Sequence, residues 1–144
     1  MSHEKLLIVE DEENERSGLA ELVTSWGYRV ETACDGAEGL EKATQWSPSI
    51  VITDLKMPRM GGLELLGQLA EQAQTIAVIL VTAQGTIDSA VQAMRMGAYD
   101  YFQCLIAFGH TSRTRSHTPA LARHGLARAS QRRLAENARN LPLD

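Results

Sequence analysis

Cysteine is scarce in this chain: Cys34 and Cys104 are the only two in 144 residues, and they lack metal-ligand spacing. That excludes a disulfide framework and a zinc site, and both are read as reduced thiols. Long apolar runs are missing too. None approaches the ~20 residues of a membrane span, so no membrane association is expected. The N-terminal residues lead straight into a short strand-like run without a leader's apolar segment and cleavage site, which predicts a cytoplasmic protein. No lysine follows Lys56. Neither an ATPase phosphate loop nor a complete DNA-reading helix pair is visible, so DNA contact is expected only through a missing or separate domain.

The chain has enough residues for one domain with a core, plus a tail. Its net charge of −4 conceals an asymmetry. Residues 1–105 carry 7 Lys+Arg against 16 Asp+Glu, whereas residues 106–144 carry 7 Arg, no Lys and 2 acids. The acidic body disfavours nonspecific nucleic-acid binding, and the Arg-rich end reads as a solvated tail. The expected division is therefore a domain over 1–103 and a divergent tail over 104–144.

Through residue 103, short β-rich runs alternate with helical patterns, as in a parallel sheet flanked by helices. Strands are expected near 5–10, 29–33, 49–53, 77–82 and 99–103. The first helix carries Leu19, Leu22, Val23 and Trp26, then Gly27 as a stop. The second runs over about 37–46 with Leu40 and Ala43 inward, and the third carries Leu63, Leu66 and Ala70. The fourth repeats the template with Ile87, Ala90, Val91 and Met94 and stops at Gly97. The class is α/β: a doubly wound, five-stranded, flavodoxin-like parallel sheet.

Two apolar runs end in acids. Leu6-Leu7-Ile8-Val9 precedes Glu10-Asp11, and Ile50-Val51-Ile52-Thr53 precedes Asp54. Parallel strands finish at one sheet edge, where ligands bind, so Glu10, Asp11 and Asp54 should converge. Converging carboxylates repel one another. Either their protonation shifts or a hard divalent cation, Mg2+ or similar, sits among them. Glu10-Asp11 also suits the start of the first helix, and capping and metal binding can coexist.

This ordered set resembles the receiver domain of two-component response regulators: Glu10-Asp11, Asp54 with Met57-Pro58 and Gly61-Gly62, Thr82-Ala83, and Tyr101. Val81-Thr82-Ala83 and Gly97 to Phe102 look most like receivers of the enhancer-binding, sigma-54-dependent activators. The resemblance implies strand order 2-1-3-4-5 and a phosphoryl group accepted on Asp54 from a sensor histidine kinase. It also implies Mg2+ held by Glu10, Asp11, Asp54 and the Lys56 backbone carbonyl, with Thr82 contacting the phosphoryl group and Tyr101 as an aromatic switch. The implied output is transcriptional, and homodimers would form through the helix 4/strand 5 face or the tail. The domain is expected to be a phosphoacceptor rather than an enzyme acting on a separate substrate.

The pattern breaks at Cys104, where receivers carry a lysine that pairs with the phosphoryl group. A thiol is no cation, and the charge-assisted contact would be missing. The usual fifth helix is also unrecognisable after Cys104, while Gln131-Arg132-Arg133-Leu134-Ala135-Glu136-Asn137 again looks like the subfamily's linker helix; a disturbed reading frame would leave such a pattern. His110, His117 and His124 recur too far apart to ligate a metal from one helix. The rival reading is a degenerate receiver acting as a phosphorylation-independent interaction module. A flavin carrier is disfavoured because the acidic stretch Glu10 to Glu15 would repel a flavin phosphate. Lys56 stands where an aspartate-based phosphatase would place its second acid.

Overall fold

The computed structural model describes residues 4–72, 76–82 and 85–103. Ala83, Cys104 and the tail, with its three histidines and linker-like segment, lie outside the described residues. In chain order the elements are β1 (Lys5–Val9), α1 (Glu13–Ser25), β2 (Arg29–Ala33), α2 (Gly36–Trp46), β3 (Ile50–Thr53), α3 (Gly62–Glu71), β4 (Ala77–Thr82), α4 (Ile87–Arg95) and β5 (Asp100–Gln103). The five strands are parallel in the order β2-β1-β3-β4-β5.

Period-two alternation along the strands divides the core into two layers. Leu7, Val9, Val51, Val78 and Leu80 face one side and pack with Ala43 of α2, Leu65, Leu66 and Leu69 of α3 and Ala93 of α4. Leu6, Ile8, Ile50, Ile52 and Ile79 face the other, with Val23 and Leu19 of α1 and Trp26 at its C-terminal end. Burial on both faces is why β1 and β3 read as continuous apolar runs rather than alternating ones. Each fully buried Leu or Ile contributes roughly 1.5–3 kcal/mol.

The helix stops behave as expected: Gly27 and Gly97 adopt φ of 96° and 99°, a left-handed conformation open to glycine. Two helical faces differ from expectation. On α3 the buried residues are Gly62, Leu65, Leu66 and Leu69, while Ala70 is exposed. On α4, Ile87, Val91 and Met94 are 84%, 44% and 50% exposed, and the side turned to the sheet carries Ala93. Apolar spacing marks a helix face without saying which face docks. Here the small residue sits where helix and sheet approach closely.

Gly62 shows how tightly α3 abuts β3. A Cβ there would meet the Asp54 carbonyl oxygen and lie 2.9 Å from Leu80 Cδ2. Gly62→Ala is therefore expected to destabilise the domain by about 1–3 kcal/mol, the usual range for overpacking, read as a lowered denaturant midpoint with an unchanged m-value.

Candidate functional site

The parallel register sets β1 beside β3, pairing Val9 with Thr53, so both strands release their following acids at one edge. The Asp54 N–H donates to the Val9 carbonyl at 3.1 Å, and the Glu10 N–H donates to the Ala33 carbonyl at 3.0 Å. These bonds carry sheet-like order one residue past each strand. Glu10, Asp11 and Asp54 each bring a carboxylate oxygen to within 4.8 Å of the others. Glu10 is buried, Asp54 half-buried and Asp11 exposed. The sequence-predicted acids thus meet as a graded set, open to solvent on the Asp11 side.

Backbone and hydroxyl donors hold the two inner acids. The Leu55 N–H donates to Asp54 Oδ1 at 2.6 Å. The Glu12 N–H, next to the start of α1, donates to Glu10 Oε1 at 3.1 Å. Thr82, buried at the end of β4, hydrogen-bonds the Asp54 side chain. Arg16 reaches back from α1 and donates to the Glu10 carbonyl at 2.9 Å. It binds the backbone under the acids without neutralising their carboxylates.

Burial pushes Glu10 up to about 8, opposed by the Glu12 N–H and reinforced by the charge on Asp54. Burial also raises Asp54, while the Leu55 N–H and Thr82 work against it. Glu15, in the first turn of α1, is raised by burial and by the Asp54 charge. Burial and the neighbouring Asp54 charge thus favour the protonated form of Glu10 near neutral pH, within the cluster of Glu10, Asp11 and Asp54. That donor set, all oxygen and rich in negative charge, fits a hard divalent cation.

Tyr101 is half-buried on β5, with its hydroxyl 2.9 Å from Ser89 Oγ on α4. Its ring lies beside Gly85 and belongs to the layer containing Leu80. Lys56 is exposed in the loop after Asp54. Sequence reasoning missed Asp35 and Arg59, which form an ion pair at 2.5 Å beside that loop. The Asp35-x-x-Glu38 spacing at the start of α2 was the available signal for the first, since it marks a helix cap.

The family model described as "Response regulator receiver domain" matches residues 6–106. The chain belongs to this family. It is 40% identical over 101 residues to the C4-dicarboxylate transport transcriptional regulatory protein DctD of Pseudomonas aeruginosa, covering 69% of this chain and 21% of that protein. It is 34% identical over 102 residues to sporulation initiation phosphotransferase F of Bacillus subtilis, covering 71% of this chain and 82% of that protein. A receiver-domain crystal structure from Clostridium thermocellum superposes with a TM-score of 0.79 at 28% identity, covering 92% of this chain and 98% of that one. The relatives include the transcriptional regulators ZraR and NtrC, so the expected likeness to activator receivers holds. The chain spans about a fifth of the length of those regulators, 22% and 20%.

The raised acids carry a pH signature. A carboxyl group whose folded pKa lies above its unfolded value takes up protons on folding, so stability is highest below about pH 4.5 for that group and falls as pH climbs toward 8. In chelator-treated protein, the denaturant midpoint should decline over this window, and Glu10→Gln should flatten the decline. A decline of wild-type slope in Glu10→Gln would assign the effect to other groups.

Proposed function

We propose that this receiver accepts a phosphoryl group on Asp54 from a phosphohistidine of a sensor kinase, with Mg2+ bound, and thereby switches a transcriptional output. The convergence of Glu10, Asp11 and Asp54, with Thr82 bonded to Asp54, is the observation that carries this reading. Histidine kinases are the family's phosphoryl donors, and receivers in general bind magnesium. An Asp54 oxygen attacks phosphorus. The P–N bond to the donor imidazole breaks as the P–O bond forms, and the imidazole nitrogen keeps the electron pair.

Bound among Glu10, Asp11, Asp54 and the Lys56 carbonyl, magnesium would supply charge neutralisation for the phosphoryl oxygens. The protein's own groups do the rest. Leu55 N–H and Thr82 favour the ionised, nucleophilic form of Asp54 against its burial. Thr82 then exchanges its carboxylate partner for a phosphoryl oxygen. Tyr101, packed against Gly85 between Thr82 and Ser89, follows that movement. The outward Ile87, Val91 and Met94 of α4 suit this face to an output domain or a second copy of the chain.

Cys104 favours a second reading. Without a lysine ammonium, one charge-assisted contact to the phosphoryl group is lost, and acceptance can be separated from switching.

Intact mass after incubation with magnesium and acetyl phosphate tests the proposal, with a beryllofluoride-induced spectral change as conformational readout. A phosphoryl adduct absent from Asp54→Asn, together with a spectral change, is the expected result. An adduct without spectral change supports the uncoupled receiver, and no wild-type adduct supports the interaction module.

A further inference from the structure

Asp35 is a buried carboxylate whose charge is met from outside its own element. Its side chain is 3% exposed, and it caps α2 by accepting the Glu38 N–H at 2.8 Å through Oδ1. The other oxygen, Oδ2, takes the Arg59 guanidinium at 2.5 Å, although the Arg59 side chain is 73% exposed. Arg59 belongs to the loop that follows Asp54. It is tethered by its tip rather than by packing.

Arg59 also holds the loop's least favourable backbone geometry, with φ of 69°. The Met60 N–H donates to the Pro58 carbonyl at 2.8 Å, closing a γ-turn around Arg59. A non-glycine residue persists there only if its surroundings hold it. The Gly36 N–H supplies a second hold by donating to the Met60 carbonyl at 3.1 Å, so close that a Cβ at position 36 would strike that carbonyl. On the loop's other side, the Gly62 N–H donates to the Leu55 carbonyl at 2.9 Å. The segment from Asp54 to Gly62 is thus clamped between the start of α2 and its own return into α3. Lys56 lies inside it.

We propose that the Arg59–Asp35 ion pair is a positioning latch for the acceptor loop, fixing the Lys56 carbonyl and the Asp54 carboxylate for cation and phosphoryl binding from outside the site. The inference rests on the receiver reading above. Asp35 and Arg59 stand outside the cluster of Glu10, Asp11 and Asp54 and act through the loop. Such supporting contacts fix ligand orientation, and their loss weakens metal binding although every ligand remains.

The test compares wild type with Asp35→Asn, Arg59→Gly, Arg59→Lys and the Asp35→Asn/Arg59→Gly double variant. Asparagine keeps the α2 cap while removing the charge, and glycine accepts the positive φ while removing the guanidinium. Three quantities are measured: magnesium affinity by calorimetry, labelling by acetyl phosphate at subsaturating magnesium, and exchange of the Gly36 amide hydrogen. Asp35→Asn and Arg59→Gly should each weaken magnesium binding by about 10-fold, slow labelling to match and speed Gly36 exchange. The double variant should be no worse than either single one, and Arg59→Lys should recover part of the affinity. Wild-type magnesium affinity in both single variants would overturn the latch, whatever their melting temperatures. Additive losses in the double variant would also overturn it. Failure of wild type to bind magnesium or form the adduct would instead remove the receiver reading, and the latch with it.

Discussion

Electrostatic repulsion among three carboxylates is the constraint around which the rest of the domain is arranged. Glu10, Asp11 and Asp54 are gathered by strand register, and two of them are taken partly out of water. Moving Glu10 from 4.5 to about 8 corresponds to destabilisation on the order of a few kcal/mol at alkaline pH. The central strands offset it. Leu6, Leu7, Ile8, Ile50 and Val51 are all 0% exposed, and two or three such side chains contribute as much as the acids remove. The apolar runs that precede each acid therefore both deliver the carboxylates to the edge and hold them there.

The same coupling of run and acid made much of the fold legible. Continuous apolar runs identified the buried parallel strands, and acids at their ends marked the edge where the carboxylates converge. The observed β1 and β3 lie inside the expected ranges, and the order β2-β1-β3-β4-β5 agrees with the family resemblance. Helix orientation was less legible, for a physical reason. In α4, Ile87, Val91 and Met94 share one face and Ala90 and Ala93 lie on another; hydrophobicity favours the first, while close approach to the sheet favours the second. In α3, Leu63, Leu65, Leu66 and Leu69 provide apolar residues on more than one face. The rotation that buries Leu65, Leu66 and Leu69 also brings Gly62 into tight contact with the Asp54 carbonyl.

The support of the site was harder to see because its partners are distant in sequence. Asp35 and Arg59 come together only after β2 and β3 have both been placed against β1. A second group around α2 has the same character. Cys34 donates its thiol to Glu38 Oε2 at 2.8 Å, and Lys42 pairs with Glu38 at 3.3 Å. Glu38 is pulled down to about 2, mainly by the Cys34 thiol and its N–H. The β2–α2 junction is thus tied internally through Glu38 and externally through Asp35. Of the two ties, the external one reaches the acceptor loop.

From the acids toward α4 the contacts are of a different kind. Thr82 bonds Asp54, while Gly85 leaves room for the Tyr101 hydroxyl beside the Thr82 methyl. The Ser89 hydroxyl donates to the Thr86 carbonyl at 2.9 Å, which leaves Tyr101 to donate its proton to Ser89 Oγ. Ser89 and Thr86 also form the reciprocal cap that starts α4. Any movement of Tyr101 in the proposed switch must therefore break or replace a bond to the group that defines where α4 begins. Ile87, the most exposed of the large apolar residues among those described, is the first residue of that helix. In the proposed switch, the described residues that link Asp54 to this apolar face are Thr82, Tyr101 and Ser89, because the helix start, the aromatic hydroxyl and the threonine occupy one small space where a Cβ at position 85 would strike the Tyr101 hydroxyl.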